Sequence, residues 1–66
     1  MDAILVQFKI QYEPRDRCWD LEMILVLPNG SCEITCYRRY TKDDITAVQR
    51  RLEEHFASNA DYRLVQ

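Results

Sequence analysis

Two cysteines four residues apart, Cys32 and Cys36, lead directly into a run of arginines and tyrosines in NGSCEITCYRRYTK, residues 29–42. Three chemistries use such residues: a thiolate metal site, a redox dithiol, or a nucleic-acid contact in which aromatic rings stack on bases and cations hold phosphates. Spacing excludes the first two within one strand. At ~3.3 Å per residue, positions four apart lie ~13 Å from each other. Neither a shared tetrahedral zinc nor a disulfide between them is then feasible. No Cys-x-x-Cys motif occurs. Cys32 and Cys36 are expected on the core face as small buried hydrophobes, and Cys18, on the opposite parity, as the more exposed thiol.

Other reactive side chains do not assemble into a constellation. His55 is the lone histidine, Asp43-Asp44 suits a helix start, and Glu53-Glu54 suits a solvated helix face. With one glycine there is no phosphate-cradling loop. The expectation is no catalysis, no bound metal and no cofactor. A chain of 66 residues also has little room for a deep pocket.

The basic-aromatic run is the remaining candidate. Arg38, Arg39, Tyr40 and Lys42 could clamp phosphates and stack bases. Against that reading, the chain carries a net charge of −2, whereas sequence-independent nucleic-acid binders are generally basic. Seven of nine basic residues are arginine, a composition suited to bidentate pairing. Structural partners are also at hand: Asp20 for Arg39, an aromatic row for Tyr40, with Arg38 lying along that row and Lys42 left as ordinary surface.

The elements that position these residues follow from periodicity. AILVQFKIQY (3–12) and CWDLEMILVL (18–27) alternate with period two, as half-buried strands do. Asn29-Gly30 signals a two-residue hairpin before a third strand over 32–40. Thr41 then caps a helix whose apolar residues, Ile45, Val48, Leu52 and Phe56, form one stripe. Ser58-Asn59 ends it, and Tyr62 to Val65 forms a short last strand. The predicted fold is one α+β domain over residues 1–66: a three-stranded antiparallel meander, one helix on one face, and a C-terminal strand (β-β-β-α-β). The preferred strand order is 3-2-1-4.

Register sharpens this. Tyr12 is set opposite Trp19, Ile10 opposite Leu21, Phe8 opposite Met23 and Val6 opposite Leu25. A two-residue Asn29-Gly30 loop then sets Leu25 opposite Ile34, Met23 opposite Cys36, Leu21 opposite Arg38 and Trp19 opposite Tyr40. On the face away from the helix, Lys9 meets Glu22 and Asp20 meets Arg39, so opposite charges face one another.

That far face carries Leu5, Ile24 and Val26, rimmed by Glu22, Lys9 and Glu33. A contiguous apolar patch marks an interface. The first residues lack a basic n-region, no stretch reaches a membrane span, and the cysteine count is odd. These features predict an intracellular, cytoplasmic protein without membrane contact. The expected function is a small non-catalytic protein-binding module, a regulator or inhibitor of the kind phages and mobile elements carry, acting through the open sheet face or a sheet edge. The alternatives are a nucleic-acid-binding module built on the Arg38–Lys42 run and a structural homodimer subunit.

Overall fold

A computed structural model describes residues 2–65. It contains β1 (Ile4–Glu13), β2 (Cys18–Val26), β3 (Cys32–Tyr40), α1 (Lys42–Ala57) and β4 (Tyr62–Leu64) in one sheet of order β3-β2-β1-β4. The α+β meander, the single helix and the short last strand are therefore as the periodicity predicts. β4 lies parallel to β1, with Ile4 opposite Tyr62 and Val6 opposite Leu64.

The first hairpin has the expected register throughout, from Leu5 opposite Val26 to Tyr12 opposite Trp19. Its four-residue loop follows the closing pair Glu13–Cys18. Pro14 supplies the fixed φ that begins a turn, the Arg15 amide donates to Glu13 Oε1 at 3.1 Å, and Arg17 takes the left-handed conformation at φ 51°.

The second hairpin differs from expectation by one residue. A two-residue type I′ loop requires positive φ at both Asn29 and Gly30, yet only Gly30 has it, at 88°. The cause is Pro28. In a two-residue loop Pro28 would face Ser31 and would have to donate the closing hydrogen bond, and proline has no N–H. The chain instead places Pro28 at the second position of a type I turn, where its fixed φ is favourable. Gly30 N–H donates to the Leu27 carbonyl at 2.9 Å, and Leu27 N–H donates to the Ser31 carbonyl at 2.8 Å. The Ser31 amide and hydroxyl both donate to Asn29 Oδ1, at 2.9 and 2.6 Å. The result is a three-residue loop with a glycine bulge.

One residue of slip turns every side chain of a strand to the other face. Val26 now faces Cys32, Ile24 faces Ile34, and Glu22 faces Cys36. Glu33, Thr35 and Tyr37 move to the helix side, opposite Leu25, Met23 and Leu21. The core placement expected for Cys32, Ile34 and Cys36 is thus corrected: all three are exposed, Ile34 at 60%.

A second irregularity undoes the slip. Between Trp19 and Leu21 the ladder shifts, so that Asp20 faces the two residues Arg38 and Arg39 before Trp19 meets Tyr40 as predicted. Arg39 sits at φ 67°, and its amide donates to Asp20 Oδ1 at 3.3 Å. A left-handed residue carrying a Cβ is held there at a cost that glycine avoids. Arg39→Gly is therefore expected to hold or raise stability, whereas β-branched Arg39→Val should lower it by about 1 kcal/mol or more. Urea denaturation of the two variants checks this.

The helix is capped as the sequence indicates. Thr41 Oγ1 accepts from the Asp44 amide at 3.1 Å, and Asp43 and Asp44 occupy the first turn, where the helix dipole favours anions. Its stripe covers one face of the sheet. Val6, Leu21 and Ile45 are fully buried, and Met23 and Phe56 nearly so. Phe8, Leu25, Tyr37, Leu52, Tyr62 and Leu64 pack against the cluster of Val6, Met23 and Phe56, with the Phe56 and Tyr62 rings 4.8 Å apart.

Candidate interaction surface

The sheet face opposite α1 is built by strand alternation. Along it run the rows Leu5–Val26–Cys32, Gln7–Ile24–Ile34 and Lys9–Glu22–Cys36. The sequence places Leu5, Ile24 and Val26 there, and the structure agrees; all three are half-buried. The slip of β3 adds Cys32, Ile34 and Cys36 to the same surface. Six apolar side chains therefore form one patch across three strands, where three were expected.

The ends of the patch are polar. Lys9 and Glu22 face each other at one end. At the other, Arg63 of β4 lies opposite Leu5, and a shallow groove is lined by Asp2, Leu5, Val26, Pro28 and Arg63. Glu33 does not belong to this rim. Its predicted place there is corrected, because the new register sets it opposite Leu25 on the helix side. The signal that could have found Ile34 and its neighbours is Pro28, whose missing donor forbids the two-residue loop.

The three thiols now have different surroundings from those expected. Cys32 and Cys36 are exposed and Cys18 is the half-buried one, at the closing pair of the first hairpin. Burial pushes the Cys18 thiol above its ordinary range, and the carboxylates of Asp20, Asp16 and Glu13 add to this; a hydrogen bond with the Arg39 backbone opposes it. A raised pKa means less thiolate at any given pH, so Cys18 is a poor nucleophile. Alkylation at neutral pH should label Cys32 and Cys36 first and Cys18 slowly, with labelling of Cys18 rising only above the ordinary thiol range. Cys36→Ser should change stability by no more than about 0.5 kcal/mol, as exposed positions do. Mass spectrometry of the alkylated chain and a thermal melt of the variant read these outcomes.

The arginine-tyrosine run is dispersed by the bulge. Tyr40 stands opposite Trp19, whose ring lies 5.1 Å from that of Tyr12. Lys42, not Arg38, completes this row: its Nζ is 4.9 Å from the Trp19 ring centroid, a cation–π contact. Arg38 and Arg39 share a shallow depression with Arg15 and with the carboxylates of Glu13, Asp16 and Asp20. Three cations and three anions there leave no net positive field. His55 is exposed in the last helical turn, its ring set edge-on to Phe56 at 5.2 Å. Among the described residues no group of three or more His, Cys, Asp or Glu side chains converges, and no helix is long and apolar enough to cross a membrane.

The class these features define is a single-sheet α+β domain with one covered and one open face. Comparison with models of known families, with curated proteins and with solved structures finds no match.

Proposed function

We propose that the chain is a small non-catalytic protein-binding module, a regulator or inhibitor, that docks a protein partner on the open face of its sheet. One observation carries the reading: Leu5, Ile24, Val26, Cys32, Ile34 and Cys36 line a face that the helix does not cover. Interfaces of this kind place an apolar centre inside a polar rim, and Lys9, Glu22, Asp2 and Arg63 stand at its two ends. The nucleic-acid alternative is weaker, because Lys42 is engaged on Trp19 and the arginines lie among carboxylates.

The test is affinity capture from the native cell with the wild type and with Ile24→Lys plus Val26→Lys. A partner retained by the first and lost by the second, with circular dichroism unchanged, supports the reading. A folded double variant that captures the same partner equally well overturns it.

A further inference from the structure

We infer that β3 pairs antiparallel with β3 of a second copy, in the register that sets Ile34 opposite Ile34 of the partner subunit. β3 is an edge strand of nine residues, and among the described residues no strand lies outside it. The hydrogen-bonding phase follows from the turn. Leu27 N–H donates to the Ser31 carbonyl, so bonds to β2 recur at every second residue, at Glu33, Thr35 and Tyr37. The main-chain N–H and C=O groups of Cys32, Ile34 and Cys36 then point out of the sheet edge. These are the residues whose side chains lie on the open apolar face.

The sequence of that edge is self-complementary. A two-fold axis through Ile34 sets Cys32 opposite Cys36 of the partner subunit and Cys36 opposite Cys32 of the partner subunit. On the helix side it sets Glu33 opposite Thr35 of the partner subunit, so no like charges meet. Shifting the axis to Glu33 would set two glutamates face to face, which is unfavourable. Shifting it to Thr35 would bring Arg38 against Cys32. The bulge at Arg38 and Arg39 bends the strand beyond this stretch and bounds the pairing. The opposite side of the sheet is protected differently: β4 is three residues long, and β1 beyond it carries Lys9.

The axis is perpendicular to the sheet, as for any antiparallel pair related by two-fold symmetry. Both helices then lie on one side, and both apolar faces join on the other. The binding face proposed above becomes twice as wide. The pairing itself does not rest on that proposal, because it uses main-chain groups of β3 and not the side chains of β2.

Sedimentation of the reduced wild type over a concentration series should show a monomer–dimer equilibrium. Ile34→Pro removes an outward-facing N–H and no bond to β2, which edge strands tolerate, and should weaken the dimer at least tenfold. Register is read separately, in a Cys18→Ser background. A Cys32→Ser chain and a Cys36→Ser chain are mixed and treated with diamide, which takes up the hydrogen of both thiols as the S–S bond forms. The ~5.5 Å Cα separation of a hydrogen-bonded pair lies within the disulfide range. A covalent dimer is expected in the mixture and not in either variant alone. Should Ile34→Pro unfold, the mixture decides by itself. A wild type that stays monomeric throughout, or links as abundant in one variant alone as in the mixture, overturns the inference. The Ile24→Lys plus Val26→Lys chain should still dimerise, which separates this outcome from failure of the binding face.

Discussion

Leu21→Ala should lower the unfolding free energy by about 2–5 kcal/mol, while Ile34→Ala should change it by no more than about 0.5 kcal/mol. Leu21 is fully buried, between Ile10 and Tyr37 on neighbouring strands, and Ile34 is 60% exposed. A domain of this size has a total stability of roughly 3–10 kcal/mol, so the first substitution removes a large part of it and can unfold the chain at ordinary temperature. Both residues are large aliphatic strand residues, and the two-residue-loop register would bury both. The pair of variants therefore reads the register of β3 directly. Equal losses in chemical denaturation would return Ile34 to the core and contradict the three-residue turn at Pro28.

The second large effect is on association. Ile24→Lys plus Val26→Lys places two ammonium groups in the centre of the apolar patch. In the free chain both side chains stand on the open face, where long aliphatic stems can lie along the sheet and carry the charge to water. The fold should survive with a loss of about 1 kcal/mol. In a complex the same charges would be desolvated without partners, which costs several kcal/mol. Binding should therefore fall by at least a hundredfold while the far-ultraviolet circular dichroism is retained. If the double variant unfolds, this face belongs to the core.

Much of the architecture was legible because alternation and capping are local. Each side chain of β1 and β2 declares its face by parity, and matching apolar parities gives one register, which the structure has at every position from Leu5 to Tyr12. Thr41 and the stripe of Ile45, Val48, Leu52 and Phe56 likewise define α1 from neighbours in sequence. The register of β3 was not legible from the same signals. Asn29-Gly30 is a strong hairpin signal, but the residue before it decides the turn, and proline there cannot close a two-residue loop. The charge test gave no warning. Asp20 still meets Arg39, because the bulge restores the pairing at that end and substitutes the Arg39 amide for its guanidinium. The candidate surface was accordingly half legible: Leu5, Ile24 and Val26 follow from the first hairpin alone, while Cys32, Ile34 and Cys36 depend on a turn geometry that no periodicity encodes.

The most direct measurement of the central claim is a footprint of the captured partner on the chain. Methyl resonances of Leu5, Ile24, Val26 and Ile34 report the open face, and those of Ala47 and Ala57 report the exposed side of α1. On titration with the partner, the first group should shift or broaden and the second should stay in place. Shifts confined to the helix alanines, with the sheet methyls unmoved, would contradict the assignment of the open face as the binding surface.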